Sequence, residues 1–184
     1  MRLLVSPMNI EEARAALQGG ADILDVKNPK EGSLKAGLLG AKTPEPAEEM
    51  LQGIVRAVKD YDPRKKVVAA GYSDYARVGS ISPQLLIAAA EKAGADVVMV
   101  DTALKDGRAT FEFMSEQDLR EFIDLGHASG LEVALAGSID FVHLELLSRL
   151  EPDIIGVRGI VCGGDRRSAV RAELVEKVKR KILM

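Results

Sequence analysis

Short apolar runs alternate with amphipathic segments along this 184-residue chain, and this alternation limits the possible folds most strongly. The apolar runs predict β-strands, and the amphipathic segments between them predict α-helices. The predicted strands cover residues 2–5, 23–27, 66–71, 96–101, 132–136 and 154–158, and residues 35–40 look like the end of another strand. The predicted helices cover residues 10–17, 47–59, 83–93, 141–150 and 172–182, with a further helix that begins at Ser115. Strict alternation of strand and helix favours a parallel sheet in an α/β fold.

An acidic residue immediately before an apolar strand recurs three times, at Asp22, Asp96 and Asp153. Strands that follow a helix and a turn often begin in this way, so the recurrence has an ordinary explanation. Repetition of a strand–helix unit explains it equally well. Two units fit between Asp96 and Asp153, whereas the interval from Asp22 to Asp96 is too long for two units and too short for four. This uneven spacing predicts that a piece of the repeat is absent after Asp22.

The number of strands also points to an incomplete barrel. Six clear strands and one fragment fall short of the eight strands and about 250 residues that are typical of a (βα)8 barrel. We therefore predict a single (βα)8 TIM-barrel domain over residues 1–184, which lacks roughly one and a half units around strand 3, between Leu34 and Lys35. An open doubly wound sheet is the alternative, and it needs no missing piece.

Composition and charge exclude several classes of function. The net charge of −3 gives no sign of a nucleic-acid or anionic-membrane partner. No apolar run approaches the roughly 20 residues that a membrane span requires. The single cysteine, Cys162, cannot form an internal disulfide, which fits a cytoplasmic protein. Neither His127 nor His143 has further ligands at a metal-binding spacing, so we expect no metal site. The sequence leaves homo-oligomerisation open.

Asp25 and Lys27 are the first candidates for chemistry. They lie two residues apart at the end of the predicted strand 23–27, so their side chains share one face. In a barrel, the carboxyl ends of the strands carry the active site. A lysine amine at such a position can attack a carbonyl group if burial or a neighbouring cation lowers its pKa. Lys27 is therefore a candidate Schiff-base nucleophile.

Three more residues complete the candidate catalytic set. Lys35, at the start of the strand fragment, could supply the neighbouring cation or act as the base. Asp101, or Asp25 itself, could move protons during a dehydration. Lys105 lies in the loop after Asp101, where a plain loop lysine is an equally good interpretation.

The last two predicted strands end in glycine-containing turns, which predict a phosphate site. Backbone amides at such turns are open to an anion, and the last two strands are the usual phosphate position in a barrel. The candidate phosphate-binding residues are Gly137, Ser138, Gly159, Gly163, Gly164, Asp165 and Arg166. Turns also need glycine for conformational reasons, so one glycine alone is a weak signal.

Seven segments, spread in order over nearly the whole chain, resemble one family. They are Leu-Leu-Val-Ser-Pro at 3–7, Gly-Gly-Ala-Asp at 19–22, Asp-Val-Lys-Asn-Pro-Lys-Glu-Gly-Ser-Leu at 25–34, Val-Ala-Ala-Gly-Tyr at 68–72, Asp-Thr-Ala-Leu-Lys-Asp-Gly at 101–107, Ala-Leu-Ala-Gly-Ser-Ile at 134–139 and Gly-Val-Arg-Gly at 156–159. The long segment at 25–34 is the most specific. Together they resemble the (5-formylfuran-3-yl)methyl phosphate synthase family.

This resemblance implies a (βα)8 barrel that condenses two glyceraldehyde 3-phosphate molecules into the furan precursor of methanofuran. It implies that Lys27 forms the Schiff base and that Lys35 accepts a proton. It assigns Asp25, Asp101 and Lys105 to the remaining active-site positions. No metal or organic cofactor is implied, because the imine itself accepts the electrons.

The chain departs from this family at one place. Family members carry about one and a half more barrel units between Leu34 and Lys35. A loss of that size would expose strand edges and would remove most of the strand that carries Lys35. Two other functions therefore stay open, namely a different Schiff-base aldolase acting on phosphosugars and a non-catalytic phosphate-binding remnant of a barrel.

Overall fold

The computed structural model describes residues 1–6, 10–24, 34–38 and 41–183. Within these ranges the strands are β1 (Arg2–Val5), β2 (Ile23–Leu24), β3 (Leu34–Gly37), β4 (Val67–Tyr72), β5 (Val97–Asp101), β6 (Glu132–Leu135) and β7 (Ile154–Val157). The α-helices are α1 (Ile10–Gln18), α2 (Pro44–Tyr61), α3 (Tyr75–Val78), α4 (Pro83–Ala93), α5 (Glu116–Ala128), α6 (Leu144–Leu150) and α7 (Ala172–Ile182). Short 3-10 turns cover Thr110–Glu112, Phe141–His143 and Gly159–Cys162. Among the described residues, no helix has both the length and the apolar character needed to cross a membrane.

The strands form one parallel sheet in the order β2-β1-β7-β6-β5-β4-β3. Successive strands are neighbours from β3 to β7, and β7 pairs with β1. A doubly wound sheet reverses its strand order at a switch point, whereas this order runs round in one direction, as in a (βα)8 barrel. The barrel prediction is confirmed and the doubly wound alternative is wrong. The predicted missing unit would lie between β2 and β3, which form the two edges of the described sheet.

The predicted elements differ from the observed ones mainly at their ends. The predicted strand 23–27 is described only as Ile23–Leu24, and the fragment 35–40 is the strand Leu34–Gly37. Helix α2 extends beyond both ends of the predicted helix 47–59, and residues 141–143 form a 3-10 turn ahead of α6. The sequence does not predict α3, because its four residues are too few to show a helical period.

Side chains along β1 and along β4 to β7 alternate between two apolar layers. In β1, Leu3 and Val5 pack in the layer between the sheet and the helices, whereas Leu4 belongs to a smaller cluster inside the barrel. The inner cluster comprises Leu4, Val68, Ala70, Val97, Met99, Ala134, Ala136 and Ile154. Because both faces are covered, the strands read as continuous apolar runs rather than as alternating ones.

The three acids that precede strands have a common structural role. Each of these pre-strand acids accepts a backbone N–H from the strand that neighbours its own in the sheet. The bonds run from Leu3 N to Asp22 (2.7 Å), from Val67 N to Asp96 (2.7 Å) and from Val133 N to Asp153 (2.8 Å). Each acid also binds a basic side chain of a helix, namely Lys179 in α7, Lys59 in α2 and His127 in α5. The recurring acid therefore joins two strands and one helix at the amino ends of the strands.

Candidate active site

The described polar cluster lies where β4, β5 and β6 end. Asp101 is the last residue of β5, and the loop that follows brings Lys105 back to it. The Lys105 ammonium donates to Asp101 Oδ1 at 2.7 Å and to the Thr102 carbonyl oxygen at 2.6 Å. The Asp101 side chain is only 15% exposed, whereas that of Lys105 is 36% exposed. In this pair, the Lys105 ammonium is accessible to solvent, while the Asp101 carboxylate that holds it is mostly buried.

Thr102 completes this arrangement. Its backbone N–H donates to Asp101 Oδ1 at 2.8 Å, and its hydroxyl lies 3.2 Å from Lys105 Nζ. Hydrogen bonds that involve a charged group are shorter and stronger than neutral ones. An ammonium held in this way can donate a proton or neutralise an anion at the end of the barrel. The structure thus brings together Asp101 and Lys105, two of the five predicted catalytic residues, while their roles stay predictions.

Ser73 and Asp74, directly after β4, contact both sides of this pair. The Ser73 N–H donates to the Asp101 carbonyl oxygen at 2.8 Å. The buried Asp74 carboxylate accepts the N–H groups of Ala103 at 2.7 Å and Leu104 at 3.1 Å. Neither residue was predicted from the sequence. Their available signal was position, since an acid that closely follows a predicted strand lies at the catalytic end of a barrel.

Thr110 links the loop after β5 to the end of β6. Its hydroxyl donates to the Ala136 carbonyl oxygen at 2.6 Å, and its N–H donates to the Gly137 carbonyl oxygen at 3.1 Å. Gly137 has φ +99°, and a Cβ there would overlap Thr110 Oγ1 and lie 2.8 Å from Thr102 N. Packing alone therefore requires glycine at 137, whatever its part in phosphate binding. The neighbouring predicted residue, Ser138, is exposed and also has a positive φ, of 50°.

The remaining predicted phosphate residues lie in the turn after β7. Gly159 begins a 3-10 turn, and its carbonyl oxygen accepts the Gly164 N–H at 2.9 Å. Gly163 and Gly164 both have positive φ, and a Cβ on Gly164 would meet no atom within 4 Å. Hydrogen bonds from the backbone and side chain of residue 167 and from Ser168 lower the pKa of the Asp165 carboxyl, with the backbone bond as the largest cause. The turn is thus open on its outer side, and the exposed Arg166 follows it.

Arg158 fixes this turn to the rest of the barrel. Its guanidinium donates to the Ser6 carbonyl oxygen at 2.5 Å, to Glu12 Oε2 at 2.9 Å and to the Arg166 carbonyl oxygen at 2.7 Å. The Arg158 and Glu12 side chains are 9% and 6% exposed. The sequence predicts Arg158 at the end of a strand but indicates no role for it. Its buried ion pair joins the turn after β7 to β1 and α1.

The other three predicted catalytic residues are placed less completely. Asp25 and Lys27 lie outside the described residues. Lys35 is in β3, and its backbone pairs in register with Val68 of β4. Because β4 also pairs with β5, strand β3 is two strands away from the Asp101–Lys105 pair.

The described part of the chain contains neither a metal-binding cluster nor a reactive thiol. No three His, Cys, Asp or Glu side chains there are grouped so that they could hold a metal ion. Burial raises the pKa of the Cys162 thiol, which keeps it protonated and a poor nucleophile. His143 accepts the Asp140 N–H at 3.0 Å, and burial lowers its pKa.

The strands form a parallel barrel, and their carboxyl ends carry an amine–carboxylate pair and open glycine turns. These features define a TIM-barrel-like α/β protein whose polar site lies on the loops that follow the strands. Solved structures share this fold at low identity. One described as native KDPGal covers all of this chain and 96% of its own, with a TM-score of 0.60 and 14% identity. KGPDC from Streptococcus mutans covers 98% of this chain and 96% of its own, with a TM-score of 0.56 and 14% identity.

Sequence comparison defines the family. The family model described as 4-HFC-P synthase matches residues 3–36 and 34–179. The (5-formylfuran-3-yl)methyl phosphate synthase of Methanosarcina acetivorans is 52% identical over 228 residues, with 97% of each chain covered. That of Archaeoglobus fulgidus is 46% identical over 229 residues, again with 97% of each chain covered. This chain belongs to the 4-HFC-P synthase family.

The same comparisons bear on the predicted missing unit. The two segments of the family match overlap at residues 34–36, where the sequence predicts the loss. The alignment with the Methanosarcina acetivorans relative runs over 228 positions, although this chain has only 184 residues. The relative therefore carries residues that have no counterpart here.

Proposed function

We propose that this protein is a (5-formylfuran-3-yl)methyl phosphate synthase that joins two glyceraldehyde 3-phosphate molecules through a lysine Schiff base, in the biosynthesis of methanofuran. The observation that carries the proposal is the Lys105–Asp101 ion pair at the carboxyl end of β5, in a chain of this family. It places an amine, a carboxylate and an accessible surface where barrel enzymes perform their chemistry.

In the proposed reaction, the Lys27 amine attacks one substrate carbonyl and releases water to form an imine. The imine draws electrons from the neighbouring carbon, so that Lys35 can remove a proton there and a carbon–carbon bond can form with the second molecule. Loss of phosphate and water with ring closure gives the aromatic furan still bound to Lys27, and hydrolysis of the imine then releases the furan aldehyde phosphate and the free lysine. The net loss from two substrate molecules is one phosphate and two waters, because the water released in imine formation is taken up again in this hydrolysis. Atoms balance without an oxidant, because the elimination steps create the ring's double bonds.

Asp101 and Lys105 would serve the elimination steps. An oxygen leaves more readily when a nearby acid protonates it or a cation neutralises its developing charge. The Lys105 ammonium is partly exposed and fixed to Asp101, so it can do either while the carboxylate takes up or returns a proton. This role favours enzymatic function over simple phosphate binding, which needs no such pair.

The turns after β6 and β7 would hold the substrate phosphates. Gly163 and Gly164 have positive φ, the outer side of Gly164 is open, and the exposed Arg166 offers a cation. Because the Gly163 and Gly164 N–H groups both donate to the Gly159 carbonyl oxygen, the Arg166 guanidinium would be the donor to a phosphate at this turn. Gly137, Ser138, Gly159 and Asp165 would shape the two turns.

Borohydride trapping tests the Schiff base directly. With glyceraldehyde 3-phosphate and borohydride, we expect a reduced adduct on Lys27, located by peptide mass spectrometry. Lys27→Arg is the matched control, because it keeps the charge and length but a guanidinium forms no imine; it should fold normally and lose both adduct and turnover. A protein that binds phosphate but never forms the adduct would be the non-catalytic remnant.

Product analysis then separates the synthase from another aldolase. The synthase releases phosphate and an ultraviolet-absorbing furan aldehyde. A six-carbon sugar phosphate without a furan would contradict the synthase and support the alternative aldolase.

A further inference from the structure

The position of Lys105 depends on the loop formed by residues 102–109. The most deeply buried contact of this loop is with the Asp74 carboxylate. The Asp74 side chain is 0% exposed. One of its oxygens accepts the Ala103 N–H at 2.7 Å, and the other accepts the Leu104 N–H at 3.1 Å. The Arg77 guanidinium lies 3.8 Å from the same carboxylate. A buried carboxylate with two backbone donors is directional, so it fixes the orientation of both peptide groups.

These two peptide groups lie directly before Lys105. On the other side of the loop, the Ser73 N–H donates to the Asp101 carbonyl oxygen at 2.8 Å. Two consecutive residues at the end of β4 therefore fix both Asp101 and the backbone that leads to Lys105. With these points fixed, the Lys105 side chain reaches the Asp101 carboxylate and the Thr102 carbonyl oxygen.

Two ion pairs of the loop are weaker contacts than the Asp74 hydrogen bonds, because their side chains are exposed. Arg77 donates to Asp106 at 2.7 Å, but the two side chains are 35% and 39% exposed, so solvent screens the pair. Arg108 binds Glu112 at 3.0 Å, and these side chains are about half exposed, at 47% and 48%. Loss of the Asp74 carboxylate would leave the Ala103 and Leu104 amides without their partner.

We propose that Asp74 is a positioning residue, which keeps the Lys105 ammonium on Asp101 by fixing the backbone of residues 103–104. This inference rests on the proposed function, in which Lys105 and Asp101 assist elimination. Asp74 itself touches no reacting atom and acts only through Lys105. Its effect on turnover must therefore vanish when Lys105 is absent, which a general structural role would not produce.

The first measurement needs no turnover. The wild-type protein and the variants Asp74→Ala and Asp74→Asn are acetylated briefly, and the modification rate of each lysine is read by mass spectrometry. We expect Lys105 to react on the order of tenfold faster in Asp74→Ala, and less so in Asp74→Asn, which keeps one acceptor oxygen. Lys92, which is exposed on α4, is the internal reference and should not change. Asp118→Ala is the matched control, because Asp118 also accepts a backbone N–H but in the cap of α5 and not from residues 102–109.

The second measurement uses turnover. Asp74→Ala should lower kcat about tenfold or more with little change in KM, and should have no further effect on kcat in a Lys105→Ala background. Equal losses of kcat with and without Lys105, or an unchanged Lys105 acetylation rate, would overturn the inference.

Hydrogen exchange on the wild-type protein keeps the inference testable even if the variants fail to fold. The Ala103 and Leu104 amides should be protected, whereas exchange at the rate of an unfolded peptide would refute the Asp74 contacts. Failure of the proposed function would appear separately, as the absence of a Lys27 adduct and of the furan product, with the Lys105 acetylation rates unaffected.

Discussion

Replacement of Asp96 by alanine provides the clearest test of how the strand–helix units are joined. The Asp96 carboxylate accepts the Val67 N–H of β4 at 2.7 Å, and both its oxygens lie 2.9 Å from the Lys59 ammonium of α2. Its side chain is 28% exposed and that of Lys59 is 30% exposed, so the contacts are only partly screened. The alanine variant would leave a backbone N–H and an ammonium without their shared acceptor.

The magnitude follows from these contacts. A hydrogen bond to a charged group contributes about 1.5–3 kcal/mol, and a partly exposed ion pair adds at most about 1 kcal/mol. We therefore expect Asp96→Ala to lower the free energy of unfolding by about 2–3 kcal/mol. For a chain of this size, this lowers Tm by about 2–4 °C per kcal/mol. Asp96→Asn keeps one acceptor oxygen and should lose about 1 kcal/mol.

Urea unfolding followed by circular dichroism measures these differences. Asp124→Ala, on the exposed face of α5, is the control for removal of a surface carboxylate and should change stability by less than about 0.5 kcal/mol. A double-mutant cycle with Lys59→Ala separates the ion pair from the backbone bond. If Asp96→Ala is as stable as Asp124→Ala, the pre-strand acids do not join the units as described.

Three further predictions concern pH, backbone conformation and the buried ion pair. Burial raises the pKa of Asp153, but hydrogen bonds from the Val133 N–H and from His127 outweigh it, so the pKa lies below its ordinary value of 3.8. Its contribution to stability is therefore complete above pH 3.8 and is lost as the pH falls through the lowered value; Asp153→Asn should flatten this part of the pH dependence of unfolding. Gly137→Ala should cost about 2 kcal/mol or more and lower kcat, because φ +99° and the overlap with Thr110 strain any side chain; wild-type stability and activity would contradict this. Arg158→Met should destabilise by about 3–5 kcal/mol in urea unfolding, and the double variant with Glu12→Met should recover part of that loss, whereas additive losses would argue against the pair.

The fold could be predicted from the sequence because its main signals are local. Apolar runs mark β4 to β7, and their alternation with helices fixes a parallel sheet. The capping box that starts α5 follows from Ser115 and Asp118, and the structure has both of its bonds. The element ends were less predictable, since β3 and α3 have only four residues each.

The contacts of the site could not be predicted in the same way. Asp74 meets Ala103 and Leu104 across 29 and 30 residues of chain, and Arg158 meets Ser6 across 152. Such contacts depend on which strands are neighbours and in what register, and no local pattern records that. Asp101 and Lys105 are four residues apart, and their sequence spacing alone did not distinguish an ion pair from a loop lysine.

The strand order divides the proposed site into two parts that can fail separately. Three consecutive strands of the sheet carry Lys35 in β3, Ser73 and Asp74 after β4, and Asp101 at the end of β5, and β4 pairs with both of the others. Asp25 and Lys27 follow β2, which pairs with β1 at the other edge of the described sheet. Imine formation does not need a proton acceptor at Lys35 if burial lowers the pKa of Lys27, whereas the later proton transfers need Lys27 to lie near Lys35. If the unit between β2 and β3 is required to hold these edges together, this chain will form the borohydride-trapped adduct but release no furan. If it releases furan at the rate of a full-length relative, the two edges must approach each other without that unit.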